Sequence, residues 1–408
     1  MLSVGRLFAR LFGKRQSSKV IDPDRDLAVE LWTEAPRLDL PQFKIFSEIK
    51  VLHNTGKRSR YITDGGPVWP LFDSEDIGRH FRGGSAVCTK PSKYDGPLKR
   101  VTKSCIWGGI ADDHFGHLCG EHLTRILMSV RQRPADLVLF VGKRRQKPSE
   151  LPQIFLEINK WFGLDASKIR LVTKPWIVRE LRVMPQAEQL YFVPPSKEYL
   201  DLLDENARRA ELVPIESDIL FVTRAGMIDR GKGSHAGERH LVECLGALGV
   251  RVLDPLSADL RTQLASYAGA RKLLFSEGSS MHGRQLLGHV DQEIHVLVRR
   301  IGSRFCEPAL QNRVSRLSYW DVTADQVVPT TDRHGDREDL AISFYDTEKV
   351  FAAFDAVGVD VRPEWNESAY QAQVAGDIEI WLRKFGGKVK GTSRTTATKV
   401  FGRFGVDF

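Results

Sequence analysis

Between residues 107 and 125 the chain places His114, His117 and Glu121 where an α-helix, turning about 100° per residue, sets them on one face with Arg125. Leu123, Ile126, Leu127 and Val130 then fall on the opposite face, which is the core side. Asp112 or Asp113 is the expected N-cap. An imidazole titrating near neutrality and held by a carboxylate is what removing a proton from a hydroxyl requires. The same spacing also suits a solvated polar face. As a zinc site it lacks both the HExxH pattern and an evident fourth ligand, so no metal is expected.

Two further constellations carry charge or small residues at places where phosphates bind. Arg224, Arg230 and Lys232 lie in a Gly-rich loop directly after the apolar run 218–222, and such cations neutralise a diphosphate without a metal. A basic surface loop reads the same way. Glu277, Gly278, Ser279, Ser280 and His282 join the run 272–275 to a helix expected over 281–289. Small residues there admit a ligand to the backbone, and N–H groups at a helix start attract anions. Glu277 is the expected acceptor for ribose hydroxyls.

The elements that must position these residues alternate. After the strand 218–222 come a helix over 238–248, a strand at 250–253, a helix from Ser257 to about Gly269, a strand at 272–275, and another at 293–298. Strand–helix alternation of this kind predicts a parallel sheet covered on both faces. Upstream, 136–141 and 169–172 read as strands around a helix over 150–162, which makes a second α/β unit. With 408 residues the chain exceeds a single core. The expected division is a basic amphipathic segment over 1–30, an α/β domain over 31–210, a Rossmann-like domain over 211–305, a mainly helical extension over 306–385 and a basic tail over 386–408.

Composition excludes several classes. With 42% hydrophobic and 27% charged residues the chain is neither a disordered nor a membrane-spanning type. Its five cysteines are scattered and form no CxxC pair, which argues against a disulfide framework and suits a reducing cytosol. The formal charge of +8 fits nucleic acid, an anionic membrane surface or an anionic substrate. Nucleic acid is set aside because no zinc-finger spacing or aromatic RNA-binding motif is present. Leu2, Leu7, Phe8, Leu11 and Phe12 among N-terminal basic residues describe a helix suited to peripheral membrane contact.

Taken in order, Gly108-Gly109, His114-Phe115-Gly116-His117 with Glu121, Thr223-Arg224, Leu256-Ser257 and Glu277-Gly278-Ser279-Ser280-Met281-His282 resemble glycosyltransferase family 61, above all its bacterial members linked to capsular and other surface polysaccharides. The resemblance covers roughly residues 100–300. It implies a GT-B fold of two Rossmann-like domains facing a cleft, the second holding a nucleotide sugar. It also implies inverting, metal-independent transfer to a polysaccharide or glycolipid acceptor without a further cofactor. On that reading the base is His117 or His114, and Arg224 with the backbone of 278–280 contacts the diphosphate, with His282 reaching it as well. Ser280 stands where the family commonly has a small hydrophobic residue, and Cys119-Gly120 where it has bulky apolar ones. The alternative reading is a non-catalytic sugar- or nucleotide-binding protein of a polysaccharide assembly machine.

Overall fold

The computed structural model describes residues 43–56, 63–82, 84–189, 193–331 and 335–408. The amphipathic segment expected over 1–30 lies outside them. The chain is mixed α/β and divides into two compact units, Met1–Asn206 and Ala207–Phe408.

The first unit is organised by a mixed sheet. Its main strands are β1 (Lys44–Leu52), β2 (Lys99–Ile110), β3 (Leu137–Val141), β4 (Ile169–Leu171) and β5 (Trp176–Val183). From one edge the order is Gly66–Pro67, β1, β5, β2, β3, β4. β1 runs antiparallel to β5, while β5, β2, β3 and β4 are mutually parallel. Every residue of β3 is buried, which explains its unbroken apolar run: a strand covered on both faces has no polar side to show. Helix α1 (Ile126–Gln132) buries Ile126, Leu127 and Met128. Helix α2 (Gln153–Trp161) buries Phe155, Ile158 and Trp161, with Phe155 edge-on to Phe140 at 4.9 Å. The stretch between Pro194 and Pro214 forms helix α3 (Lys197–Arg209).

The second unit carries the alternation read from the sequence. Strands β6 (Ser217–Val222), β7 (Arg251–Leu253), β8 (Ala270–Ser276), β9 (Glu293–Leu297) and β10 (Arg316–Trp320) form an all-parallel sheet in the order β7-β6-β8-β9-β10. In chain order this is 2-1-3-4-5, a doubly wound arrangement whose direction of winding reverses between β6 and β8. Helix α4 (Glu238–Ala247) connects β6 to β7, and α5 (Leu260–Gly269) connects β7 to β8. The α5 cap is Asp259, whose carboxylate accepts from Thr262 N at 2.7 Å, two residues beyond the expected Ser257. The helix expected over 281–289 is a 3-10 helix, Ser279–Leu286.

The region after 305 departs from expectation. Besides helices α6 (Thr347–Asp355) and α7 (Glu367–Phe385), it supplies β10, β11 (Thr323–Val327) and β12 (Ile342–Tyr345). β11 pairs antiparallel with β12, and Ser234–His235 lies parallel to β12 on its other side. These strands are four or five residues long, too short to compete with the helical periodicity around Val350, Phe351, Phe354 and Val357. The expected basic tail over 386–408 contains helix α8 (Gly391–Gly402). Ala397, Val400 and Phe401 are buried in the same core as Trp381 and Phe344. Their i, i+3, i+4 spacing is that of an amphipathic helix whose outer face carries threonines with Arg394 and Lys399, and these polar residues hid the stripe. No helix among the described residues is long and apolar enough to cross a membrane.

Because α8 is a core element, Phe401→Ala is expected to destabilise the protein by about 3–5 kcal/mol. Urea unfolding measures this, and a loss under about 1 kcal/mol would mean that the helix is peripheral.

Candidate functional site

The histidine-bearing segment leaves the carboxyl end of β2, where the pairing with β3 shifts register between Trp107 and Gly109. Gly109 has φ +102°, and a Cβ there would stand 2.9 Å from His80 Nδ1, so both its backbone conformation and its neighbour require glycine. The chain then turns through Asp112 and Asp113. The observed N-cap is His114, whose Nδ1 accepts from His117 N at 3.5 Å, rather than either aspartate.

One α-helical turn, Phe115–His117, passes into a π-helical stretch, Leu118–His122, closed by Leu123 N donating to Leu118 O. The wider turn changes which residues share a face. His117 Nδ1 remains 2.9 Å from Glu121 Oε2, as expected for a common face. Arg125 does not join them. It is fully buried and donates to Gly78 O and Arg79 O at 3.4 and 3.1 Å. Glu121 is 1% exposed, with Arg82 Nε 3.8 Å from the same oxygen, whereas His117 is 19% exposed. A buried carboxylate thus orients an imidazole that solvent reaches, the base-and-orienter arrangement of general base catalysis. The His114 ring lies 4.4 Å from that of His117.

The π turn also brings in a residue the sequence reading passed over. His122 Nε2 is 3.4 Å from Asp112 Oδ2, and His122 Nδ1 is 2.6 Å from Nε2 of His80, which is distant in sequence. Although burial works against it, hydrogen bonds from His122 and Asp113 hold the Asp112 carboxyl well below its ordinary range. Burial, with His122 and Arg125 nearby, keeps His80 well below the usual imidazole value. An ionised Asp112 accepts from His122 Nε2–H, His122 Nδ1 then accepts from His80 Nε2–H, and the buried His80 Nδ1 has no partner among the described residues. No spacing signal links His80 to this segment, because only the fold brings them together.

In the second unit the expected phosphate-binding residues separate into two groups. Arg224, Gly278, Ser279 and Ser280 sit at the carboxyl ends of β6 and β8, on either side of the winding reversal, where open α/β sheets bind ligands. Arg224 Nε donates to Gly233 O at 2.6 Å, and its guanidinium lies so close to Gly278 that a Cβ there would meet Nη1 at 2.3 Å. Burial lowers the Arg224 pKa even though Glu238 and Glu277 are near. Ser279 and Ser280 are half-buried and open the 3-10 helix, whose first N–H groups have no partner within the helix. Arg230 and Lys232 stand exposed on the loop.

Glu277 and His282 do other work. Glu277 is buried; its Oε2 accepts from Arg299 N and Arg300 N at 2.8 and 2.9 Å, and its Oε1 accepts from Arg300 Nε at 2.6 Å and Ser303 Oγ at 3.1 Å. With both oxygens engaged, it anchors the loop after β9 instead of offering an acceptor to ribose. His282 is buried against Phe305, with Nδ1 on Gln285 and Cys306 Sγ 3.5 Å away. A carboxylate that sequence reasoning missed, Glu238, joins the two strand ends. Its Oε1 accepts from Arg224 N (2.6 Å) and Thr223 Oγ1 (2.8 Å), and its Oε2 from Ser276 Oγ (2.9 Å). An acidic first helical residue after a Gly-rich loop was its only signal.

No group of three His, Cys, Asp or Glu side chains among the described residues is placed to hold a metal ion. No model of a known protein family matches the chain, and no curated protein matches it either.

The anchoring role of Glu277 makes a stability prediction. Burial alone would raise its pKa, but Arg300 and Arg299 hold it below the glutamate range. A depressed carboxylate stabilises the fold above its unfolded value of about 4.3 and loses that contribution as pH falls through the lower folded value. Glu277→Gln is therefore expected to cost about 3–5 kcal/mol near neutrality. In paired denaturant titrations the gap from wild type should narrow below about pH 4.3; a gap that stays constant with pH would refute the anchoring role.

Proposed function

We propose that the protein is a glycosyltransferase that moves a sugar from a nucleotide-sugar donor to a polysaccharide or glycolipid acceptor, as its resemblance to glycosyltransferase family 61 implies. The observation that carries this reading is the His117–Glu121 pair: an accessible imidazole with Nδ1 held at 2.9 Å by a buried carboxylate. The second support is the cation at the winding reversal, where Arg224 lies against Gly278.

In the proposed reaction Glu121 holds the proton of His117 on Nδ1, leaving Nε2 to take the proton of the acceptor hydroxyl. The hydroxyl oxygen attacks the anomeric carbon, and the bond from that carbon to the diphosphate oxygen breaks on the opposite face, inverting the centre. Arg224 and the N–H groups of Ser279 and Ser280 take up the charge developing on the departing nucleoside diphosphate, in place of a metal. A GT-B arrangement, with donor held by the second unit and acceptor by the first, belongs to this proposal. The chain would serve surface polysaccharide synthesis.

The test is release of nucleoside diphosphate from a panel of nucleotide sugars in the presence of acceptor glycans. His117→Ala is expected to lower kcat by about 10²–10⁴ with an unchanged melting temperature and unchanged donor affinity. Full turnover by this variant would remove His117 from the mechanism. Donor binding by calorimetry with no turnover by wild-type protein would instead favour a sugar-binding assembly protein.

A further inference from the structure

The first unit holds a second feature that the proposed reaction does not use. At the carboxyl ends of the parallel strands β3 and β4 a cavity of about 650 Å³ opens between the loop 142–148 and the segment after β1. That volume is in the range of small-molecule sites. Its wall includes Lys143, Arg144, Arg145 and Lys147, four cations within five residues, together with His53 and Asn54.

The loop is built as well as charged. Asn54 Nδ2 donates to Gly142 O at 3.0 Å, and Lys143 N donates to Gln146 Oε1 at 2.9 Å, which closes the turn. Arg145 has φ +58°, a left-handed conformation that costs free energy in a residue with a Cβ. The Arg144 stem lies against Gly56. His53 has a buried Nδ1 with no partner among the described residues. Lys143 is paired with Asp113, but among the described residues Arg144, Arg145 and Lys147 have no carboxylate within ion-pair distance. Arg144, Arg145 and Lys147 are exposed at the mouth of the cavity, where their charges are open to an entering anion. The Lys143–Asp113 ion pair ties the loop to the segment that carries His114 and His117.

We infer that this cavity binds a phosphate or diphosphate group of the acceptor. Paired guanidinium forks match phosphate oxygens in geometry and charge, and the tie from the loop to the segment of the candidate base relates the acceptor's anionic end to its hydroxyl. The inference rests on the glycosyltransferase reading only in naming the ligand as the acceptor; the phosphate site itself stands on the loop.

Calorimetric titration of the full chain with inorganic pyrophosphate tests it. Arg144→Gln/Arg145→Gln is expected to lower affinity at one class of site at least tenfold while Arg224→Gln leaves that class intact. Both arginines are exposed, so the double variant is expected to melt with wild type. An unchanged titration in the double variant overturns the site. If Arg224→Gln changes nothing while the double variant loses its class, the donor assignment fails and the cavity assignment stands. Vesicles of phosphatidylglycerol and a lipid-linked diphosphate in phosphatidylcholine separate the sources. Pyrophosphate displacing the lipid-linked diphosphate supports the site. Loss of phosphatidylglycerol binding in the double variant with pyrophosphate affinity unchanged makes the loop a membrane contact and overturns it.

Discussion

Glu238 is the interaction on which the second unit's site depends. A carboxylate without solvent contact must find donors for both oxygens, and Glu238 finds them on Arg224, Thr223 and Ser276, at the ends of the two strands that flank the winding reversal. Because α4 begins at Glu238, one side chain fixes a helix start and two strand ends at once. Burial raises its pKa in spite of those donors and the charge of Arg224. Arg224 thereby has its backbone pinned by Glu238 while its guanidinium spans from Gly233 to Gly278. Glu277 repeats the device one strand along, holding Arg299 and Arg300. Buried carboxylates thus fix the positions of the arginines at the strand ends.

The first unit solves the same problem of placing polar groups in a dry setting with histidines. Three chemically different jobs fall within about two helical turns: His114 caps, His117 meets Glu121, and His122 bridges Asp112 and His80. A regular helix would leave His122 about 140° from His117. The π turn is what allows both rings to approach, with centroids 6.0 Å apart.

The sequence made four of the five strands of the second unit's parallel sheet readable because each is a short apolar run between helices of clear period, and the structure shifts their ends by at most two residues. Arg224, Gly278, Ser279 and Ser280 were legible as a group for the same reason: strand ends in alternating α/β chains converge. The His117–Glu121 contact was legible because i, i+4 neighbours remain in reach even when the turn widens. Partners were not. Glu277 and His282 look like ligand groups in a Gly-Ser turn, and only the loop after β9, with Arg299 and Arg300, and the approach of Phe305 and Cys306 show them to be occupied. His80 and Glu238 escaped notice because their meaning lies in contacts across 42 and up to 38 residues of chain. The helix α8 was missed since Ala397, Val400 and Phe401 stand among polar and basic residues that average to a solvated tail, although their phase does not.

The stretch Leu118–His122 has the count of an α-helix carrying one extra residue. Reading frame along a helix is angular as well as linear: in a regular helix one added residue rotates everything downstream by about 100°, and the widened turn absorbs that rotation. Arg125, Ile126 and Leu127 thereby keep their buried places although the stretch before them holds one residue more than an α-helix of the same span. Length and side chains are thus constrained together, since Leu118 to His122 are all buried and the turn that fixes their number also presents Glu121 to His117 and His122 to Asp112 and His80.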